Sequence, residues 1–375
     1  MNPKSDGTGP KVVISGYYGF DNCGDEAVLL AMTRCLKKLR PDIRIVVLSN
    51  NPKKTRELYS VEAVNRWNPL YVALHLLSCQ LVLSGGGSLL QDVTSTKSLR
   101  YYLAVINIAV MLGKRVMIYS QGIGPLDTER NRKSVSQVLN RCHTITVRDK
   151  RSEELLRELG VRQDIQVTCD PVMALSPEDI VSSGIADEAS GISVLESTFE
   201  ARKPLVMAVV RQWKDDRHNA PVAEFLDTLV KGGWEVLLVP AHYPNDMEAL
   251  DKIVRFMTEQ PRRLDYCVTA CEFLALSAQA KMVFSMRLHG LICAFAAGTP
   301  MLGLSYDPKV DAFMEQAGCS RYCLPFDGFD CGTAESLLAE LNSLPPQSKL
   351  ERETHCREMR NKAWETARKA VELLD

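Results

Sequence analysis

Short apolar runs, rich in β-branched residues, alternate with helical stretches through most of this chain. Residues 11–15, 43–48, 81–84, 115–120, 144–147 and 165–168 each read as a strand bounded by Gly, Pro or polar residues. Strands buried on both faces look like this, because neither side chain direction meets water. Helical periodicity fits between them, first over 25–39. Such alternation implies βαβ units and a parallel sheet. It lapses over 176–203, which carries Pro, Gly, Ser and many charges, and restarts at 205–210. Runs at 235–240, 266–269, 282–285 and 301–305 follow, with helices at 221–231 and 271–280. The expected fold class is α/β, with two Rossmann-like domains facing a cleft. With 375 residues the chain exceeds what one core usually serves. We place the domains at 1–180 and 181–349, with a terminal helix over 350–375 packing across their junction.

Composition narrows the classes. The net charge is −1, which gives no global basic field for nucleic acid. Residues 1–10 are polar and read as a disordered start, not a secretory signal. The most apolar stretches, 70–83 and 103–112, are too short to span a bilayer. The chain therefore reads as cytoplasmic, with peripheral contact at the inner face of the membrane left open. The 12 cysteines are scattered or lack zinc spacing, so we expect buried thiols and no metal.

Three glycine-bearing turns follow strands on one rim of the first domain. The first runs Gly16-Tyr17-Tyr18-Gly19-Phe20-Asp21-Asn22-Cys23-Gly24-Asp25-Glu26. Its spacing is not G-x-G-x-x-G, and no acidic residue follows the second strand, so a dinucleotide is disfavoured. No G-x-x-x-x-G-K-S/T loop is present either. The second turn, Ser84-Gly85-Gly86-Gly87-Ser88-Leu89-Leu90-Gln91-Asp92, lets a ligand approach the backbone. The third is Gln121-Gly122-Ile123-Gly124-Pro125. Backbone at Gly86 and Gly87, with Asn22, Asp25, Gln91, Asp92 and Gln121, suits a hydroxyl-rich acceptor such as a sugar.

The second domain offers different chemistry. The strand 282–285 runs into Met286-Arg287-Leu288-His289-Gly290 and a small-residue helix over 291–297. Such a turn sits where open α/β sheets bind ligands, and the helix start favours an anion. Arg287 adds a cation and His289 a group able to move protons near neutral pH. Lys309 and Arg211 also stand at strand ends, and with Arg148, at a strand end of the first domain, they could converge on an anion. His242 is a weaker candidate.

Together these segments resemble the polysaccharide pyruvyltransferase family, in particular the bacterial cell-surface-anchoring members. The resemblance rests on Gly19 to Ala27, Gly85 to Asp92, Gln121 to Pro125, Val147-Arg148-Asp149 and Arg287-Leu288-His289, in that order. It covers about residues 12–310; the interdomain stretch and the charged tail add nothing to it. It implies transfer of pyruvate from phosphoenolpyruvate, as a substrate and without a cofactor, to two hydroxyls of a sugar. The product is a cyclic 4,6-ketal and phosphate. In the anchoring members the acceptor is N-acetylmannosamine of a secondary cell-wall polymer on a lipid carrier, and the ketal anchors the S-layer. The family fold resembles that of GT-B glycosyltransferases. In this reading His289 is the general acid and base, and Arg287, Lys309, Arg148 and Arg211 bind the donor. Two other readings remain: an inverting nucleotide-sugar glycosyltransferase and a non-catalytic carbohydrate-binding protein. The retaining glycosyltransferase pattern of two glutamates eight apart fails, since Cys323 follows Glu315 at that distance.

Overall fold

A computed structural model describes residues 9–93, 95–176, 203–213 and 217–375. The stretch 177–202, which contains most of the expected interdomain connection, and residues 1–8 of the expected disordered start lie outside the described residues. The described chain forms two parallel-sheet α/β units. One comprises Met1–Phe20, Asp25–Ala174 and Asn361–Asp375; the other comprises Asp21–Gly24 and Leu175–Arg360.

In the first unit, β1 (Lys11–Ser15), β2 (Arg44–Ser49), β3 (Glu62–Asn65) and β4 (Leu81–Ser84) are followed by β5 (Gly87–Leu90), β6 (Arg115–Ile123), β7 (Thr144–Val147) and β8 (Ile165–Val167). The order is β3-β2-β1-β4-β6-β7-β8, with β5 paired to β6 and every pairing parallel. Val12, Val13 and Ile14 of β1 are fully buried, which explains the unbroken apolar run. Between the strands lie α1 (Cys23–Leu39), α2 (Pro52–Tyr59), α3 (Pro69–Ser78), α4 (Thr96–Met111), α5 (Glu129–Leu139) and α6 (Lys150–Glu158). Val13, Val82 and Ile118 from the sheet pack with Leu76, Leu99 and Ile106 from α3 and α4. Truncating one such side chain to Ala costs about 2–5 kcal/mol.

The second unit repeats the plan. β9 (Leu205–Val209), β10 (Glu235–Leu238), β11 (Arg262–Arg263), β12 (Met282–Ser285), β13 (Met301–Ser305) and β14 (Cys323–Pro325) are all parallel, in the order β11-β10-β9-β12-β13-β14. In each unit the chain direction switches between the first and fourth strands. Open α/β sheets bind ligands at such a switch point, beside the loops that follow β1 and β4 in one unit and β9 and β12 in the other.

Several local expectations change. The strand expected at 266–269 does not form; β11 lies earlier, and Thr269 instead caps the helix Ala270–Gln279 in a capping box with Glu272. The helix expected from 291 begins at Leu288, which places His289 inside its first turn. The segment Gly87–Leu90 is a strand rather than a turn, and β6 runs through Gln121 to Ile123. Strands β3 and β14 lie at sheet edges; β3 is partly polar and β14 only three residues long, so no apolar run marks them.

The last helix spans Pro346–Glu372. In the second unit Arg360 donates to the Ala296 carbonyl (3.0 Å) and the Cys356 thiol to that of Phe295 (3.3 Å). These satisfy end carbonyls of Leu288–Ala296, the helix that carries His289. In the first unit Lys38 lies over the Trp364 ring (5.2 Å), and Arg40 pairs with Asp375 (2.8 Å). None of the 12 cysteines, all of them described, forms a disulfide.

Candidate functional site

The carboxyl edge of the first sheet is built around Gln121. Its amide nitrogen donates to the Ser84 carbonyl (2.9 Å), the Ser84 hydroxyl (2.7 Å) and the Gly85 carbonyl (2.9 Å). The side chain is fully buried, so it holds the glycine turn in shape instead of facing a sugar. This departs from direct acceptor contact: the side chain is sealed from solvent, the turn takes up its amide nitrogen, and its carbonyl oxygen is buried without a partner among the described residues. Gly86 lies against Val28 and Pro171. Gly87 has φ of +86°, and a Cβ there would come within 2.8 Å of the Asp25 carboxylate. A side chain at Gly87 would both strain the backbone and displace Asp25. Half-buried Gln91 follows β5.

Asp92 is anchored from several directions. It accepts from the N–H groups of Asp127 (2.8 Å) and Thr128 (3.3 Å) and from the Asn131 amide (2.7 Å). Burial works against its charge. Those hydrogen bonds, led by Asn131 and joined by the Thr128 hydroxyl, outweigh it and hold the carboxyl below its ordinary range.

Arg148 ends β7 and is buried. Its guanidinium lies 3.4 Å from Asp149 and 3.5 Å from Asp170, and donates to the Ser88 hydroxyl at 3.4 Å. Two buried carboxylates compensate its charge, which is how a buried cation is tolerated. Asp149 also caps α6, accepting from the Ser152 N–H (2.8 Å) and hydroxyl (2.7 Å). Val147-Arg148-Asp149 is thus a strand end, an internal ion pair and a helix cap in succession.

Arg66 escaped the sequence reading. It is buried, donates to the Gly16 carbonyl (2.7 Å) and lies over the rings of Tyr101 (4.2 Å), Trp67 (5.1 Å), Tyr102 (5.2 Å) and Phe20 (5.3 Å). Among the described residues no carboxylate pairs with it. The aromatic faces supply the negative potential instead. Its signal is weak: an arginine among aromatics far apart in sequence.

The carboxyl edge of the second sheet gathers cations and a histidine. Arg287 is the N-cap of Leu288–Ala296, and its guanidinium pairs with Asp246, which is buried. Asp246 also accepts from the N–H groups of His242 (2.9 Å) and Ala241 (3.2 Å). The guanidinium is therefore oriented from behind by a carboxylate that is itself fixed. The Ser285 hydroxyl donates to the Arg287 carbonyl (2.7 Å) and tightens the turn. His289 is half-buried in the first helical turn.

Asn22 belongs to this unit. It forms an antiparallel bridge with His242, flanked by Cys23 N–H to the Ala241 carbonyl (2.7 Å) and Tyr243 N–H to the Asp21 carbonyl (3.1 Å). The Asn22 carbonyl side chain accepts from Gly24 N–H (3.1 Å). Gly24 is thereby pressed against His289: a Cβ at Gly24 would collide with the imidazole Nδ1. The glycine is required there by close approach and not by its backbone angles.

Arg211, just beyond β9, donates to the Tyr306 hydroxyl (2.9 Å) and lies over Trp213 (5.3 Å). Lys309 stands in the first turn of the helix Pro308–Gln316, with its ammonium 3.0 Å from Asp307 and 5.8 Å from the Tyr306 ring centre. Tyr306 thus brings Arg211 and Lys309 together. Strands β9, β12 and β13 are neighbours, so Arg211, Arg287 and Lys309 share one edge. Among the described residues no group of three or more His, Cys, Asp or Glu side chains could hold a metal ion.

A family model described as polysaccharide pyruvyl transferase matches residues 22–308. No curated protein sequence matches the chain. Among solved structures, the UDP-GlcNAc 2-epimerase of Neisseria meningitidis bound to UDP-GlcNAc is 13% identical, with 97% of this chain and 99% of that one covered and a TM-score of 0.62. The Methanocaldococcus jannaschii UDP-GlcNAc 2-epimerase is 12% identical, over 90% and 93%, at 0.63. Anabaena HepE in complex with UDP-glucose is 15% identical, over 97% and 96%, at 0.55. At such identities the likeness is one of fold, the GT-B type with two parallel-sheet α/β domains.

Proposed function

The chain belongs to the polysaccharide pyruvyl transferase family, enzymes that transfer pyruvate to polysaccharide, and from that premise we propose that it uses phosphoenolpyruvate and makes a cyclic 4,6-ketal. The acceptor in this reading is a cell-wall sugar, N-acetylmannosamine on a lipid-linked precursor, met at the inner face of the membrane. The observation that carries it is the edge of the second sheet. His289 sits at a helix start beside Arg287, on the edge that also bears Arg211 and Lys309.

Phosphoenolpyruvate carries a carboxylate and a phosphate within a few ångströms, and charge-assisted bonds from several cations suit it. Protonated His289 delivers a proton to the methylene carbon, which becomes a methyl group and leaves an oxocarbenium-like centre at C2. One sugar hydroxyl adds there and returns its proton to His289. Phosphate then departs with the C2–O electron pair. The second hydroxyl adds, gives its proton to the released phosphate and closes the ring. A positioned acid–base contributes about 10²–10⁴-fold. Arg287, held by Asp246, and Lys309 offset the donor's charge, and Arg211 is presented by Tyr306. Asp25, Gln91 and the backbone at Gly86 and Gly87 are the sugar-binding part, with Asn22 at the histidine and Asp92 fixing the loop before α5. Gln121 and Arg148 act by holding the glycine turn and Ser88.

The test is incubation with phosphoenolpyruvate and a hexosamine acceptor, following phosphate release and the mass of the sugar. Phosphate released with a heavier, ketal-bearing sugar supports the reading. Turnover of a nucleotide sugar with phosphoenolpyruvate untouched would establish instead the inverting glycosyltransferase, a reading favoured by the fold likeness to structures holding UDP-sugars.

A further inference from the structure

The two most apolar stretches of the sequence do not go wholly into the core. Nine of the thirteen exposed large apolar side chains among the described residues fall between Trp67 and Leu112. On α3, Leu70, Tyr71, Leu74 and Leu77 are each half exposed or more, and so is Trp67 just before it. Their spacing puts them on one side of the helix, while Val72 and Leu76 face the core. Lys114 reaches the Leu77 carbonyl (2.7 Å) from the end of the α4 segment, where Ile108, Met111 and Leu112 are also exposed. Exposed apolar side chains gathered in this way on a water-facing helix mark an interaction site.

Charge indicates what meets it. Between residues 63 and 126 the sequence holds one acidic residue, Asp92, against Arg66, Lys97, Arg100, Lys114 and Arg115. Asp92 is turned to the loop before α5 and held there. Between α4 and α5 lies a groove of about 1110 Å³ lined by Arg100, Arg130, Arg141 and Arg162 with amide and hydroxyl side chains, and by no carboxylate; Asn107 on its wall donates to the exposed Met111 sulfur (3.5 Å). Among the described residues Arg100, Arg130 and Arg162 have no ion-pair partner. Arg141 donates to the Asn107 side chain (2.8 Å).

We propose that this face of the first unit docks on an anionic lipid bilayer. The α3 and α4 apolar side chains enter the interface, and the arginine groove takes lipid phosphates. Apolar side chains with Trp and Tyr beside cations are what an interfacial element needs, since burial and attraction to anionic lipid add. No helix among the described residues is long and apolar enough to cross a membrane, and the surface needs none. A second copy of the chain fits less well, because a two-fold contact would set like-charged grooves side by side. The inference gives the lipid-linked acceptor of the proposed function a place to be met. It rests on that reading for its purpose but on its own geometry for its existence.

The experiment is sedimentation of the full chain with phosphatidylcholine vesicles made with and without phosphatidylglycerol, in the absence of donor and acceptor. Binding should require phosphatidylglycerol and weaken with salt. The pair Leu74→Glu/Leu77→Glu and the pair Arg130→Glu/Arg162→Glu should each weaken it about tenfold or more. Phosphate release on a water-soluble sugar should stay as in the unaltered chain, so failure of docking and failure of pyruvyl transfer are read separately. Unaltered protein that ignores both vesicle types would overturn the proposal. So would altered pairs that bind as before, or Leu74→Glu/Leu77→Glu breaking a dimer without changing vesicle binding.

Discussion

Both units arrange their first four strands alike, β3-β2-β1-β4 in one and β11-β10-β9-β12 in the other, yet their carboxyl edges differ in chemistry. At the first edge the named polar groups are largely committed inward. Gln121 clamps a turn, Arg148 lies between two carboxylates, Asp92 is tied to a loop, and Arg66 is enclosed by rings. At the second edge one carboxylate orients Arg287, and a tyrosine presents Arg211 beside Lys309. The first edge is stiff backbone and dipoles, suited to shaping a neutral polyol. The second is oriented charge, suited to a compact anion. A common scaffold thus carries buried groups that hold a turn at one edge and partly exposed, oriented cations at the other.

The largest effect should come from the second edge. His289→Ala is expected to lower kcat for phosphate release by about 10²–10⁴-fold. A loss that large from Asp25→Ala instead, with His289→Ala mild, would reverse the assignment of the two edges. Next, Asp246→Ala leaves Arg287 without its carboxylate. Breaking such a pair should cost about 3 kcal/mol in urea unfolding and raise the donor KM more than it lowers kcat. Lys309→Ala should raise donor KM by about tenfold with stability nearly unchanged. If donor KM held steady in both, the second edge would not be the anion site.

Gln121→Ala probes the first edge. It leaves the buried Ser84 and Gly85 carbonyls without a donor, at a cost of about 1–3 kcal/mol, and should raise the acceptor KM while sparing the donor's. The smallest effect concerns thiols. Burial pushes Cys79 up to about 11 and Cys142 up to about 12 in the first unit, and Cys323 up to about 12 in the second. Free thiols ionise near 8.5, so the unfolded chain gives up protons that the fold retains. The melting temperature should therefore fall as pH rises from about 8.5 toward those values, and native thiols should resist alkylation at pH 8.

Much of the fold can be read in the chain because buried parallel strands need apolar residues on both faces. The run Val12-Val13-Ile14 is an example, fully buried in β1. Edge strands escape that rule: Arg262–Arg263 shows no pattern, and Thr269 was better used as a cap than in a strand. The site was legible in the same way. Residues after parallel strands must emerge at one edge, so Arg211, Arg287 and Lys309 share it despite lying far apart in sequence. Partners were not legible. Asp246 lies 41 residues before Arg287, and no spacing rule joins them.

The sequence by itself determined two doubly wound units and collected glycine turns on one edge and cations on the other, since periodicity and turn chemistry are local. Only the tertiary structure decided that Arg148 is compensated, that Gln121 turns inward and that Gly24 backs His289. Those outcomes depend on separations of a few ångströms through space, over which hydrogen bonds, charge pairing and steric fit are made or lost. The chain's order leaves such separations open until the strands are in place.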